Sequence, residues 1–143
     1  MPIISVTRLH LRSLRYLPSF AWRTFVINRQ VRRIHGFVGG RLGNELPRGF
    51  WTITAWDSLE AMRRFRDSGV HRAAMPRLLR WCDEASFVHW EQRDTSLPSP
   101  EEAHRRLQAE GRVSKVYRPS AAHAAGRTAG ERMPTLGPML QPR

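Results

Sequence analysis

A chain of 143 residues with 41% hydrophobic content is long enough for one domain with a real core, and none of its apolar runs approaches the roughly 20 residues that a membrane-crossing helix needs. A single cysteine, Cys82, excludes an intramolecular disulfide and a cysteine-based zinc site. The net charge of +12 invites a nucleic-acid partner, but every one of the 24 basic residues except Lys115 is arginine, and these are spread over all the predicted elements. No zinc-finger spacing, Gly-aromatic RNA-binding signature or Walker-type loop accompanies them. The charge therefore argues for attraction of anionic ligands at low salt rather than for nucleic-acid binding. Arg8, Arg12 and Arg15 interrupt the N-terminal apolar run, so a cytoplasmic protein with no membrane insertion is expected.

The first predicted strand is 3–11, in which Ile4, Val6, Arg8 and His10 share one parity. A helix over 18–34 follows, with Pro18 in its first turn and a stripe of Phe20, Ala21, Phe25, Asn28 and Val31 opposite Arg23, Arg29, Arg32 and Arg33. Gly36 ends it. A strand over 36–43 contains Gly39-Gly40, a sign of a bulge or close backbone approach, and residues 44–49 form a hairpin turn into a strand at 50–56. Asp57-Ser58-Leu59-Glu60 is a helix start, and Leu59, Met62 and Phe65 give that helix an apolar face as far as residue 68. Pro76 cannot sit deep in a helix without losing a hydrogen bond, which predicts a short turn or helical start at 70–75 and a firmer helix over 76–84. Cys82, in this apolar context, reads as an inert core thiol. The last core strand is 86–92.

Beyond a polar linker, Ser99 caps a helix reaching Glu110, with Glu101 and Glu102 in its first turn. Its apolar content (Ala103, Leu107, Ala109) is thin, so it is expected to lie on the surface. A short extended piece follows at 113–117, and from Ser120 onward the chain has no periodicity and reads as disordered. The expected organisation is a domain at 1–95, a helical extension at 96–119 and a disordered tail at 120–143.

The order β-α-β-β-α-β is the α+β, ferredoxin-like split βαβ arrangement, with two helices covering one face of a four-stranded antiparallel sheet. The other face would be bare. One parity set of Phe50, Trp51, Trp56, Phe87, His89 and Trp90 should not meet water, so a homodimer covering that face is predicted.

The segment WTITAWDSLEAMRRFRDSGVHRAAM, with Trp56, Asp57-Ser58, Ala61, Phe65, Ser68 and His71 at its recurring positions, resembles the antibiotic-biosynthesis-monooxygenase-like group of dimeric α/β barrels. That group takes in small quinone-forming monooxygenases, bacterial heme-degrading enzymes and related spheroidene monooxygenases, and the likeness covers residues 3–92. It implies a homodimeric oxidoreductase acting on a small apolar or aromatic molecule between sheet and helices, with no cofactor or with heme. The heme-degrading members hold heme through an Asn, a Trp and a His, and the matched positions here carry Thr7, Phe65 and Met75. The implied pocket is lined by Trp56, Phe65, Met75, His10 and Arg72. His71, whose ordinary pKa is about 6.5, is the candidate general base, with Arg8 or Arg72 steadying an anionic oxygen. A ligand-binding dimer without turnover and a cyclase or isomerase of the same fold are the alternatives.

Overall fold

The computed structural model describes residues 1–142, apart from the side chain of Val70; Arg143 lies outside the described residues. The elements in chain order are β1 (Ile3–Leu11), α1 (Leu17–Val31), β2 (Phe37–Glu45), β3 (Gly49–Trp56), α2 (Leu59–Arg66), α3 (Gly69–Trp81), β4 (Cys82–Glu91), α4 (Pro100–Glu110), β5 (Arg112–Val113), α5 (Ala121–Ala124) and β6 (Thr135–Leu140). All strands join one antiparallel sheet in the order β5-β4-β1-β3-β2-β6. Its middle four strands with α1 to α3 form the expected ferredoxin-like unit. No described helix is long and apolar enough to cross a membrane.

Local chemistry explains most boundaries. Pro18 sits in the first turn of α1, where its missing N–H costs nothing. Ser58 caps α2, its Oγ accepting from the Ala61 N–H at 3.1 Å. The register of β2 against β3 shifts between Phe37 and Gly39, and a Cβ on Gly40 would lie 2.8 Å from the Ile53 carbonyl, the close approach that the paired glycines announced.

Four expectations are corrected. Helix α3 runs through Pro76 rather than restarting there; Arg72 and Pro76 are both exposed, so the hydrogen bond that proline forgoes lies on the wet side of the helix. The inner face of α1 is Phe20, Thr24, Ile27, Asn28 and Val31, whereas Ala21 and Phe25 are exposed. Helix α4 is core: Ala103 and Leu107 are 0% exposed, packed on Val6, Trp51, Ile53 and Trp90. The segment after Ser120 forms α5 and then β6, which pairs with β2 from Gly40↔Leu140 to Asn44↔Thr135.

The sheet thus has two covered faces. Ser5, Thr7, Leu9, Phe50, Thr52, Thr54 and Trp56 look toward α1, α2 and α3. Ile4, Val6, Trp51, Ile53, Ala55, Val88 and Trp90 look the other way, onto α4 and Ala129. The bare aromatic face on which a homodimer was predicted is occupied by the chain itself.

Candidate functional site

Between the helices and their sheet face lies a cavity of about 350 Å³, a size suited to a small organic molecule. Strand alternation sets its floor: Ser5 and Thr7 of β1 stand opposite Thr54 and Thr52 of β3, giving four hydroxyls in two neighbouring rows. The roof is apolar, with Phe20 and Ile27 of α1, Met62 and Phe65 of α2, and Met75 and Leu78 of α3. Thr24 and Asn28 of α1, Arg66 of α2 and His71 of α3 are the polar exceptions in it. A ligand there meets hydrogen-bonding groups on one side and hydrocarbon on the other.

The aromatic wall is continuous. Phe37 meets Trp56 edge-on at 5.4 Å between ring centres, Trp56 stacks on Phe65 at 5.4 Å, and Phe65 lies 5.0 Å from His71. Trp56 is 1% exposed and fixed by its Nε1 donating to Thr54 Oγ1 at 2.9 Å.

His71 stands at the start of α3, just past the Ser68 break between helices. Its Nδ1 lies 3.0 Å from the Arg66 carbonyl. A carbonyl only accepts, so Nδ1 carries the proton and Nε2 keeps its lone pair. Burial is the main influence on this imidazole and lowers its pKa below the ordinary value; the Arg66 hydrogen bond only partly opposes that. His71 is therefore neutral at pH 7, with one nitrogen free to take a proton.

The other expected site residues divide. Trp56, Phe65 and Met75 line the cavity with His71. Arg8 does not: it is 4% exposed on the opposite face, donating from Nε to Glu45 and from its other guanidinium nitrogen to Glu84 at 2.7 Å. Arg72 is exposed and away from the cavity wall. His10 pairs with Asp83 at 2.6 Å, also outside the cavity. Asn28, Thr24, Thr52 and Thr54 were missed as site residues. For the strand threonines the signal was available: Thr52 and Thr54 share strand parity with Trp56, which the sequence already assigned to the pocket.

Neither a metal nor heme is well served. His10, Asp83 and Glu84 place donor atoms within 4.8 Å of one another, but Glu84 is taken by Arg8 and by Ser120 at 2.8 Å, and His10 by Asp83. Burial pushes Glu84 up, yet the hydrogen bonds from Arg8 and Ser120 outweigh it and hold the carboxyl below its usual range. In the cavity, Thr7 and Phe65 offer no nitrogen or sulfur donor to an iron. His71 and Met75 are one turn apart on one helix, so they offer a heme iron donors from one side only. Cys82 is a core thiol pushed up to about 12, chiefly by burial, and is inert.

The fold and this cavity can be set beside known proteins. No protein-family model and no curated relative matches the sequence. Solved structures do match in fold. SnoaB from Streptomyces nogalater, described as a cofactor-independent oxygenase, aligns at 18% identity and a TM-score of 0.56, over 68% of this chain and 98% of its own. A Deinococcus radiodurans protein named for the antibiotic biosynthesis monooxygenases aligns at 18% identity and 0.60, over 68% and 98%. Rv0793 from Mycobacterium tuberculosis aligns at 11% and 0.60, over 66% and 97%. The chain therefore has the α+β ferredoxin-like fold found in proteins named for antibiotic biosynthesis monooxygenases.

Proposed function

We propose that this protein is a small-molecule biosynthetic enzyme of the monooxygenase type, acting on an electron-rich aromatic substrate held in the cavity between sheet and helices. The observation that carries this reading is a neutral His71, its tautomer set by the Arg66 carbonyl, on the wall of a cavity with an aromatic, mostly apolar roof and a hydroxyl-lined floor. The neighbours named as oxygenases share the fold that builds such a space.

The residues divide the work. Trp56 and Phe65 stack on the planar body of the substrate, and the Ser5, Thr7, Thr52 and Thr54 hydroxyls meet its oxygen functions along one edge. His71 Nε2 takes the proton from the acidic carbon or hydroxyl, leaving a carbanion or phenolate rich enough to reduce dioxygen. For a ring methylene the balance is CH₂ plus O₂ giving C=O plus H₂O, with dioxygen as the oxidant. Asn28, on the α1 side of the cavity, donates to the oxyanion that forms in this reading.

The test is saturable oxygen uptake with a polycyclic hydroxyarene, with the oxidised product followed by mass spectrometry. Binding without oxygen uptake would leave the ligand-binding reading, and conversion of a substrate without oxygen would leave cyclase-type proton chemistry at the same histidine.

A further inference from the structure

The segment beyond β4 covers the apolar sheet face opposite the cavity and pairs with part of each outer strand of the core. Helix α4 crosses the face opposite the cavity, with Ala103 and Leu107 wholly buried on Trp51, Ile53 and Val6. The chain then pairs with both outer strands of the core. Strand β5 adds to β4 at Ser86↔Val113, and β6 adds to β2 from Gly40 to Asn44. Polar ties fasten the return path: Ser86 Oγ donates to the Thr128 carbonyl at 2.5 Å, Thr128 Oγ1 donates to the Leu107 carbonyl at 2.6 Å, and Ser120 Oγ donates to Glu84 at 2.8 Å.

Without this segment, β1 to β4 would present one apolar face and two open strand edges. Those are the surfaces on which sheets associate with further copies. The solved neighbours are matched over 89 to 100% of their own length, yet they cover only 64 to 68% of this chain. The shared part is the size of the β1–β4 unit, so the cover is an addition to it. We propose that residues 97–142 take the place of a second subunit, so that the protein is a self-capped monomer with its cavity complete in one chain.

The exposed aromatic pair on α1 is small. Trp22 and Phe25 stack on each other with Arg29 over the Phe25 ring, two side chains against the roughly 800 Å² per partner of a stable interface.

Sedimentation equilibrium of the full chain, over about 1 to 100 μM protein and at raised ionic strength, reads the proposal directly. A single species of 16.6 kDa is expected at all concentrations. A mass of twice that value, holding across the range, overturns it. Leu107→Asp puts a charge beneath α4 and should bare the sheet face. A variant that keeps its circular dichroism but gains mass with concentration supports the proposal, and one that keeps its fold and stays monomeric overturns it. If Leu107→Asp does not fold, the wild-type mass decides alone.

Discussion

Replacing Arg8 by methionine separates a structural arginine from a catalytic one. The guanidinium is 4% exposed and serves two carboxylates, Glu45 at 7% exposure and the half-buried Glu84. Methionine keeps the length of the apolar stem and removes the charge, leaving Glu45 buried without a partner. Breaking a buried pair from one side costs about 3–5 kcal/mol, a large part of the roughly 5–15 kcal/mol by which domains are stable. For a chain of this size the melting temperature should fall by about 10–20 °C. Adding Glu45→Gln should restore part of the loss, because the two sites share one interaction. The assay is thermal unfolding at pH 7, with binding of an apolar aromatic fluorophore to the cavity measured well below the transition. Binding should change by less than about twofold, since no charge that Arg8 carries faces the cavity. An Arg8→Met protein that melts like the parent but no longer binds or turns over substrate would refute the assignment.

Three further outcomes follow from the same geometry. Burial lowers the pKa of His71, so the acid limb of any base-dependent rate should have its inflection below about 6.5, and an inflection above that value would contradict the neutral buried imidazole. Glu84 is held below its ordinary pKa, so the stability it gives is complete above about pH 4.3 and is lost as pH falls through the folded value; Glu84→Gln should flatten the acid side of the stability profile. A Cβ on Gly49 would fall 2.0 Å from Glu45 Cγ, so Gly49→Ala should push that carboxylate off Arg8 and cost about 1–3 kcal/mol in denaturant unfolding, with the cavity intact.

What the sequence disclosed follows the range of the forces involved. The order of β1 to β4 was legible because strand alternation, the helix start at 57–60 and the hairpin at 44–49 are local signals, and each has its counterpart in the structure, where Ser58 rather than Asp57 is the cap. The residues Trp56, Phe65, His71 and Met75 line one cavity because they sit on β3, α2 and α3, three elements consecutive in the chain. Arg8 and His10 were misplaced for the opposite reason. Their shared parity was plain, but the side of the sheet that holds the cavity depends on where the helices land, and Arg8's partners are 37 and 76 residues away. The extension was misread on the same ground. Its order comes from β6 pairing with β2 and from two small apolar contacts, Ala103 and Leu107, whose burial the composition of α4 alone does not reveal. On α1, Phe20, Asn28 and Val31 of the expected stripe face inward, but Ala21 and Phe25 are exposed and Thr24 and Ile27 take their places.

The most direct measurement is oxygen consumption by the purified protein with a polycyclic hydroxyarene, run beside His71→Ala. The account predicts saturable uptake, one water and one new carbonyl per dioxygen, and a fall of about 10² to 10⁴ in rate for the variant with its melting temperature nearly unchanged. Uptake that His71→Ala leaves intact, or a cavity that binds no aromatic molecule, would contradict it.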